Sequence, residues 1–522
     1  MRIYKMTGEI ENDQGATESA DSKGVSLFIR LLFVLALIAA CLGLLIHCVQ
    51  YLGFAYPLDD GEGFVLNQAK IISQGRSPYP PINIKPFIVT NYPPLFITLL
   101  ALLVKVFGVK LTLGRYISFF SGLAILYLVY LACTGRRLKR TGISSFVGPG
   151  LLAASPVMYF WMPLCRIDIF ANFLSLAAIY LAWRYKDSKR LYLSLPLLWA
   201  ALYIRQSSVE GLIVISVYLF LQRRNEFWRY LLLYIAGAVV LSGVCFLVFG
   251  PEFFKHVVIY TRTKWYAVRL LATYEVIFKG MLLPTAIGIF AAWELRKNKE
   301  SSIWVYYLIV GFLMTLLAGK VGSDQNYFLP MFIPQAIVIG IWAAEILNSP
   351  VQWKVKNGFL LLMAGLVLFM GFVIGDRELS FTPSKAVAYN GQQLVEIIRS
   401  FKGQVLVEDE GLTLLAGREV IYNPFIMNEL NKEGLWDQTP FVESIRNAEY
   451  DLIVLRFNVF DKNNEDTAEL GDMAGWDRFS PEMEQAVREN YVTDGTPLPM
   501  RRLWYFYTRK SEGAPKVKLV FE

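Results

Sequence analysis

The chain has 522 residues, of which 55% are hydrophobic and only 18% are charged, and its mean hydropathy is +0.41. Soluble proteins carry roughly a quarter charged residues, so this composition excludes an ordinary soluble protein and favours a chain embedded largely in lipid. Residues 1–375 carry 34 Lys and Arg against 18 Asp and Glu, a formal charge of +16, whereas residues 376–522 carry 17 against 25, a charge of −8. A uniformly basic nucleic-acid-binding protein is excluded, because the positive charge lies in short loops between apolar segments.

The first apolar segment, residues 26–52, predicts an N-terminal membrane anchor. It begins SLFIRLLFVLALIAACLGLL and is long enough to cross a hydrocarbon core of about 30 Å. The polar and acidic stretch before it has no suitably placed small-residue cleavage site, so we expect a retained helix and not a signal peptide. Residues 1–25 are then expected to form a cytoplasmic tail.

Further apolar segments predict additional spans, and we expect a polytopic α-helical membrane protein with about eleven transmembrane helices. These segments lie at residues 114–134, 143–162, 167–183, 191–205, 207–222, 231–249, 281–295, 302–319, 327–347 and 357–375. The predicted membrane domain therefore covers residues 26–375, and its first loop covers residues 53–113.

Basic clusters in every second loop predict the orientation, because positively charged loops stay in the cytoplasm. The clusters are RRLKR (136–140), RYKDSKR (184–190), QRRNEFWR (222–229), RKNKE (296–300) and QWKVK (352–356). The segments expected on the other side are 53–113, 162–167, 205–207, 250–280, 320–326 and the tail from 376.

This orientation requires that the apolar stretch 93–108 does not cross the membrane. The stretch opens with two prolines, carries Lys105 and has only 16 residues. A span needs about 20 residues, so we expect a helix that lies at the membrane surface or re-enters it.

The tail, residues 376–522, predicts a small soluble α/β domain on the extracytoplasmic side, because helical patterns alternate with short strand-like runs. The helical patterns cover 384–401, 439–449 and 481–490, and the strand-like runs are QVLVE (404–408), EVIYN (419–423), DLIVLR (451–456) and RLWYFYT (502–508).

Several kinds of chemistry lack support in the sequence. The five cysteines lie in or beside apolar segments, and their spacing suggests neither a disulfide framework nor a zinc site. No Walker-type or GxGxxG loop is evident, so ATP-driven transport has no support. We expect any catalysis to depend on carboxylates, Arg and Lys.

Three carboxylates, Asp59, Asp60 and Glu62, stand within four residues directly after the first predicted span. Their mutual repulsion is expected to raise the pKa of at least one of them unless a cation or a polar substrate compensates. One interpretation is a general base, or a carboxylate pair that binds and deprotonates an acceptor. The other is an acidic N-terminus of a helix over residues 62–74, where Asp and Glu are favourable.

Other charged and polar residues gather in the remaining loops of the same predicted side, where basic residues depart from the usual charge bias. These residues are Arg166, Asp168, Arg205, Gln206, Arg262, Lys264, Arg269, Lys320, Asp324, Asn326 and Tyr327. A lipid-linked phosphate or pyrophosphate explains them, because cations bind its oxyanions while aromatic residues such as Trp265 and Tyr266 lie at headgroup level. The alternative is an interfacial aromatic belt whose cations contact ordinary lipid phosphates.

Four motifs in order resemble a known family. They are LDDGEG (58–63), NYPPLF (91–96), Arg166 with Asp168, and GSDQNYFLP (322–330). The chain resembles the GT-C class of membrane glycosyltransferases, specifically the bacterial relatives of protein O-mannosyltransferases and of the lipid A aminoarabinose transferase. The resemblance covers about residues 25–375 and implies a GT-C-like membrane domain. The tail resembles the extracytoplasmic C-terminal domains that many such enzymes carry.

The resemblance implies an enzyme that transfers a sugar from a polyprenyl-phosphate donor to an extracytoplasmic acceptor, usually with inversion at the anomeric carbon. The residue that activates the acceptor maps to Asp59 or Asp60, with Glu62 nearby, and the double Asp leaves the register open by one residue. Asp168 is then a second carboxylate that orients acceptor or sugar, with Arg166 as its partner.

The remaining polar residues fit the same scheme. The cations Arg205, Arg262, Lys264, Arg269 and Lys320 are expected to stabilise the donor phosphate, a contribution that needs no ATP because the donor is already activated. Gln206 and Asp324 are expected beside them, and Asn326 and Tyr327 at the sugar hydroxyls. The apolar stretch 93–108 is expected to help form the groove for the prenyl chain.

Metal use and acceptor identity stay open at this point. Members of this class differ in metal use, and although Asp59, Asp60 and Glu62 are hard oxygen ligands suited to Mg²⁺ or Mn²⁺, we expect no required metal. The acceptor is a lipid, a glycan or a protein, and we expect the chain in a bacterial cytoplasmic membrane. Two alternatives to an enzyme are a membrane transporter or flippase and a non-catalytic subunit of cell-surface polysaccharide assembly. Transporters often contain an internal repeat, and none is evident in this sequence.

Overall fold

The computed structural model describes residues 20–135, 142–375, 382–461 and 478–512. The basic cluster at 136–140, most of the predicted N-terminal tail and the predicted junction near residue 376 lie outside the described residues. What is described forms a large helical part up to residue 375 and a smaller α/β part from residue 382 onwards.

Seven of the helices in the described ranges are long and apolar enough to cross a membrane, which makes the chain a multi-pass membrane protein. They are α1 (Ala20–Leu52), α4 (Leu111–Cys133), α10 (Arg224–Phe249), α12 (Ala267–Leu295), α13 (Ser302–Thr315, continued by a 3₁₀ turn to Gly319), α14 (Leu329–Asn348) and α15 (Trp353–Gly375). Of these, α14 is buried along most of its length, whereas α10 is exposed along most of its length.

The predicted count of eleven spans is not confirmed, because the other predicted segments form shorter helices. Segment 143–162 is divided into a 3₁₀ turn, α5 (Val147–Ala153) and α6 (Pro156–Trp161). Pro156 disfavours helical geometry at Ser155, which ends α5 and starts α6. Three further helices are α7 (Asp168–Arg184), α8 (Ser194–Ile204) and α9 (Glu210–Gln222). At α12 the predicted segment, 281–295, is too short, because the helix begins at Ala267.

The first loop contains two helices, α2 (Asp60–Ser73) and α3 (Pro94–Phe107). At 14 residues, α3 is about 21 Å long, shorter than a hydrocarbon core, as predicted for stretch 93–108. Its buried residues Phe96, Ile97 and Leu100 pack in one apolar cluster with residues of α2, α7 and α8. The first loop is therefore held against the membrane helices. A short helix, α11 (Glu252–Phe254), follows α10.

In residues 382–461 and 478–512, the C-terminal domain has five α-helices and a five-stranded sheet. The helices are α16 (Lys385–Ser400), α17 (Glu410–Leu415), α18 (Pro424–Lys432), α19 (Thr439–Arg446) and α20 (Pro481–Asn490). The strands are β1 (Gln404–Val407), β2 (Tyr450–Leu455), β3 (Tyr491–Val492), β4 (Leu498–Met500) and β5 (Arg502–Arg509).

The sheet has the order β1-β2-β5-β3, and β4 also pairs with β5. Strands β1 and β2 are parallel, and β5 is antiparallel to β2, β3 and β4. Along β2, Leu452 and Val454 pack on one side while Ile453 and Leu455 pack on the other, so both faces of the sheet are covered. The α/β prediction for the tail is confirmed in outline.

The predicted strand at 419–423 does not join this sheet. Tyr422 instead forms a single parallel bridge to Phe87 in the first loop. The Phe87 amide donates to the carbonyl of Ile421 at 2.8 Å, and the Asn423 amide donates to the carbonyl of Phe87 at 3.0 Å. The segment fixes the C-terminal domain to the first loop.

A second contact between the two parts brings helices α2 and α17 together at Gly63 and Gly411. A Cβ atom at Gly63 would lie 2.1 Å from the backbone nitrogen of Gly411, so a side chain does not fit there. The start of α2, which carries the predicted acidic motif, is thereby placed directly beside the C-terminal domain.

Candidate active site

A cavity of about 900 Å³ lies between the first loop, the membrane helices and the C-terminal domain. The membrane part contributes apolar residues, among them Phe160, Trp161, Val276, Ile277 and Val373. The polar lining includes Asp59, Asp60, Arg166, Asp324 and Asn326, all predicted site residues, together with charged residues of the C-terminal domain.

Asp59 caps the N-terminus of α2, and its Oδ1 accepts the amide hydrogen of Gly61 at 3.0 Å. The same oxygen pairs with Arg166 Nη1 at 3.0 Å. A Cβ atom at residue 61 would lie 1.2 Å from that guanidinium nitrogen, so the glycine of the motif makes room for Arg166. Burial raises the pKa of the Asp59 carboxyl; Arg166 opposes this rise, and Asp60 and Glu62 add to it.

Asp60, one residue along, faces the C-terminal domain. Its two carboxylate oxygens form ion pairs with Arg456 and Arg478. Burial favours a higher pKa for Asp60, but the two guanidinium groups outweigh it and hold the pKa well below the usual value. Asp60 is therefore a permanent anion at neutral pH that joins the first loop to the C-terminal domain.

Glu62 is completely buried and forms a two-point ion pair with Arg115 of α4. Its oxygens also accept the backbone amides of Leu58 at 2.7 Å and Cys165 at 2.8 Å. Burial raises the pKa of Glu62, yet Arg115 and these hydrogen bonds outweigh that effect and lower it. This carboxylate is enclosed by protein donors, and it is absent from the cavity lining.

The three carboxylates thus diverge: Asp59 pairs with one arginine, Glu62 with another, and Asp60 with two further arginines. Within the described ranges, no group of three or more His, Cys, Asp and Glu side chains could hold a metal ion. The donor set expected for Mg²⁺ or Mn²⁺, several converging oxygen ligands, does not fit this arrangement.

Asp168 begins α7 and is almost fully buried at the base of the site. Its Oδ1 accepts Asn326 Nδ2 at 2.7 Å and pairs with Arg205 Nη1 at 3.2 Å. Arg166 Nε lies 3.7 Å from Asp168 Oδ2, so Arg166 is placed between Asp59 and Asp168. The predicted Arg166–Asp168 pair is present, and the structure adds a hydrogen bond from Asn326 of the GSDQNYFLP motif.

Arg205 and Gln206 hold neighbouring loops in place. The Arg205 guanidinium lies over the ring of Tyr327, 4.1 Å from its centroid. Gln206 Nε2 donates to the carbonyl of Asn91 at 2.9 Å, which ties this turn to the first loop. Arg205, Gln206 and Tyr327 lie behind Asp168 and Asn326 and are not part of the cavity lining.

The remaining predicted cations lie farther from the cavity. Arg269 Nη2 donates to the carbonyl of Ser323 at 2.9 Å, and Lys320 Nζ donates to the carbonyl of Thr261. Lys264 is exposed and pairs with Glu433 of the C-terminal domain at 3.1 Å. Arg262 is exposed as well. None of these four lines the described cavity.

Charged residues of the C-terminal domain complete the cavity, and the sequence analysis missed them. They are Glu408, Asp409, Glu410, Arg456, Arg478, Glu484, Arg501 and Arg502. Glu408 follows β1 and Arg456 follows β2, and the carboxyl ends of parallel neighbouring strands meet at one edge of a sheet. A signal that could have found this edge is the run of three acids, Glu408, Asp409 and Glu410, at the end of a predicted strand.

No family model matches the sequence, and no curated protein matches it significantly. Solved structures match in fold. ArnT from Cupriavidus metallidurans bound to undecaprenyl phosphate is 13% identical with a TM-score of 0.59, and the match covers 91% of this chain and 97% of that one. Apo ArnT from the same organism is 13% identical with a TM-score of 0.60, covering 92% and 99%.

The apo oligosaccharyltransferase of Archaeoglobus fulgidus is 12% identical with a TM-score of 0.51, and the match covers 93% of this chain and 75% of that one. Identities this low establish the fold alone. ArnT and the archaeal enzyme are GT-C glycosyltransferases, and the chain has their fold.

Proposed function

We propose that this GT-C-fold chain is an integral-membrane glycosyltransferase that moves a sugar from a polyprenyl phosphate to an extracytoplasmic acceptor, with Asp59 as the general base. One observation carries the assignment of the base. Of the three carboxylates in the acidic motif, Asp59 combines a position in the cavity lining with a raised pKa. A general base works best when its pKa approaches the working pH.

The two neighbouring carboxylates are less suited to that role. Asp60 carries a strongly lowered pKa and is engaged by two arginines, and Glu62 is enclosed by protein donors. Asp59 accepts hydrogen bonds from Gly61 and Arg166 through Oδ1, and among the described residues none engages Oδ2. We assign Oδ2 as the atom that accepts the proton.

The transfer step then follows. The acceptor oxygen forms a bond to the anomeric carbon of the sugar while the bond from that carbon to the phosphate oxygen breaks. The hydroxyl proton passes to Asp59, and the bonding electrons remain on the polyprenyl phosphate. Cations stabilise the charge that develops on the leaving phosphate.

Arg166 is the cation best placed for that phosphate, because it lines the cavity beside Asp59; its Nε lies 3.7 Å from Asp168 Oδ2 and has no hydrogen-bond partner among the described residues. Arg205 Nη2 also has no hydrogen-bond partner among the described residues. Arg205 pairs with Asp168, and it therefore adds positive charge behind Arg166. Apolar lining residues such as Val276, Ile277 and Val373 suit a prenyl chain. The ArnT structure with the same fold contains undecaprenyl phosphate.

We further propose that the reaction needs no divalent metal, because each acidic residue of the motif is already neutralised by an arginine. The proposal also puts the cavity on the extracytoplasmic side of a bacterial cytoplasmic membrane, with the N-terminus in the cytoplasm. The convergence on one cavity of residues from the first loop, residue 166, residues 324–326 and the tail supports a common side for these segments.

The test is transfer from a panel of radiolabelled undecaprenyl-phosphate sugars in membranes that contain the full-length chain. Asp59→Asn is expected to lower transfer by about 10²- to 10⁴-fold, the usual contribution of a general base. Glu443→Gln, which changes an exposed carboxylate of the C-terminal domain, is the matched control and is expected to retain activity. Full transfer by Asp59→Asn at normal expression would contradict the proposal.

A further inference from the structure

The cavity has two cationic walls, and the neighbouring residues Asp59 and Asp60 contact one wall each. Asp59 contacts Arg166, which belongs to the membrane part. Asp60 contacts Arg456 and Arg478, which belong to the C-terminal domain. The donor phosphate occupies the first wall in the proposed function, so the second wall is available to another group.

The second wall, which we call the C-terminal wall, is formed by arginines from three separate segments and by Glu410. Arg456 follows β2, Arg478 precedes α20, and Arg501 and Arg502 lie at the turn between β4 and β5. All of them line the cavity. Arg501 adopts a φ of +59°, a backbone conformation that is uncommon for a residue with a side chain and that recurs at binding sites.

Two nearly buried side chains in this wall have unfilled hydrogen-bonding capacity. The Arg456 side chain is 7% exposed, and its Nη1 has no partner among the described residues. Glu410 is 6% exposed; its Oε1 accepts Asn423 Nδ2 at 2.5 Å, but its Oε2 has no partner there. Burial of polar atoms without partners is unfavourable, so both atoms indicate a ligand that binds them.

Charge in the wall favours an anion. Four guanidinium groups face the carboxylates of Asp60, Glu408 and Asp409, and the further lining carboxylate, Glu484, pairs with Arg488 at 3.3 Å. Burial raises the pKa of Glu410 to about 8, so at neutral pH this group is largely protonated and able to donate a hydrogen bond. The wall therefore offers surplus positive charge next to a neutral hydrogen-bonding group.

We propose that the C-terminal wall is the acceptor subsite and that it binds an acidic saccharide, a sugar unit with a carboxylate or phosphate beside its free hydroxyls. The inference rests on the proposed function and adds a substrate class to it. Arginines bind either oxyanion through paired hydrogen bonds, while Glu410 and Arg456 Nη1 bind hydroxyl groups. The lipid donor suits the opposite wall, to which α12 and α15 contribute apolar lining residues.

The experiment measures binding of soluble sugars to the full-length chain in nanodiscs, with and without saturating undecaprenyl phosphate. The probes are glucose 6-phosphate, glucuronate and neutral glucose, and the first two separate a phosphate-bearing from a carboxylate-bearing ligand. We expect at least one acidic sugar to bind about tenfold more tightly than glucose, as charged hydrogen bonds predict. Undecaprenyl phosphate is expected to leave that preference intact.

The double variant Arg478→Gln/Arg502→Gln is expected to abolish the preference while undecaprenyl phosphate binding stays unchanged. Arg446→Gln removes an exposed arginine of the same domain and is the matched control. Arg478→Lys/Arg502→Lys keeps the charge, so partial recovery with this variant separates loss of binding from loss of folding. Glu410→Gln is expected to weaken binding of the acidic sugar without affecting the phospholipid.

Two results would overturn the inference. The first is equal affinity for acidic and neutral sugars. The second is displacement of the acidic sugar by undecaprenyl phosphate, which would assign the C-terminal wall to the donor. Failure of the proposed function is distinguishable, because transfer retained by Asp59→Asn would refute the base while selective sugar binding still supported the subsite.

Discussion

Glu62 and Arg115 form an ion pair in which Nε–Oε1 and Nη2–Oε2 are both 2.7 Å and both side chains are completely buried. Arg115 Nη1 also donates to the backbone carbonyl of Tyr51 at 2.9 Å, and Nη2 donates to that of Tyr56 at 2.7 Å. The pair therefore ties the start of α2 to α4 and to the chain that leaves α1. It fixes the backbone from which Asp59 projects.

Glu62→Gln is expected to destabilise the protein by about 3–5 kcal/mol, because it leaves the Arg115 charge buried without a counter-charge. The measurement is thermal unfolding of the purified chain in nanodiscs, together with its yield in membranes. Glu443→Gln, in an exposed pair with Arg446, is the control and is expected to unfold like the wild type. A Glu62→Gln protein with wild-type stability but no transfer would instead make Glu62 a catalytic residue.

The pH profile of transfer is expected to report Asp59. The base acts when deprotonated, and burial puts its pKa above the usual 3.8, so the rate should fall on acidification at a pH above that value. Arg166 lowers the pKa of Asp59, so Arg166→Gln should move the acidic limb to still higher pH.

The measurement is kcat/KM of the wild type and of Arg166→Gln across the acidic and neutral pH range, with Arg446→Gln as the control. If the acidic limb of the Arg166→Gln profile instead moved to lower pH, the shift would be opposite to the one expected for Asp59. Asp59 would then be excluded as the titrating group.

Asp60→Asn is expected to loosen the contact between the first loop and the C-terminal domain, because Arg456 and Arg478 lose the first-loop carboxylate that they share. The readout is faster backbone hydrogen exchange in α2 and in the residues that follow β2. Since the pKa of Asp60 lies well below 3.8 in the folded chain, the contact contributes stability above that pH and is lost only on stronger acidification. Unchanged exchange in the variant would argue that the backbone contacts suffice.

Gly63→Ala is expected to displace the C-terminal domain, because the new Cβ would lie 2.1 Å from the backbone nitrogen of Gly411. Backbone atoms cannot move aside as a flexible side chain does, so both transfer and unfolding temperature should fall. Gly365→Ala in α15 is the matched control, since a Cβ there meets nothing within 4 Å. Equal behaviour of the two variants would refute the tight approach of α2 and α17.

Sequence analysis located the membrane-side half of the site. The acidic motif, Arg166 with Asp168, and the turn at 324–326 were selected because charges are costly near a bilayer, and the structure brings these residues together. The resemblance to GT-C enzymes agrees with the fold. The roles of Asp59, Asp60 and Glu62 could not be separated, because the difference lies in arginines that are distant in sequence.

The half of the site that belongs to the C-terminal domain depends on strand topology and was not predictable from local sequence patterns. Arg115 carried a usable signal, since a charge within a predicted span is unusual, but its partner was not evident. Arg456 and Glu408 reach one edge only because β1 and β2 are parallel neighbours. The predicted spans are not confirmed near residues 143–222, where the apolar segments form short helices that pack against other parts of the protein. Apolar length alone does not separate such helices from membrane spans.

Strand β5 pairs with β2, β3 and β4, although it is the last of the five strands to leave the ribosome. Its first residue, Arg502, is also part of the C-terminal wall. The seven described helices that are long enough to cross a membrane all precede β5, so the sheet can be completed only after every one of them has been synthesised. If the C-terminal wall binds the acceptor, a chain gains its acceptor site only once β5 has paired, and a copy whose synthesis stops before β5 lacks that site.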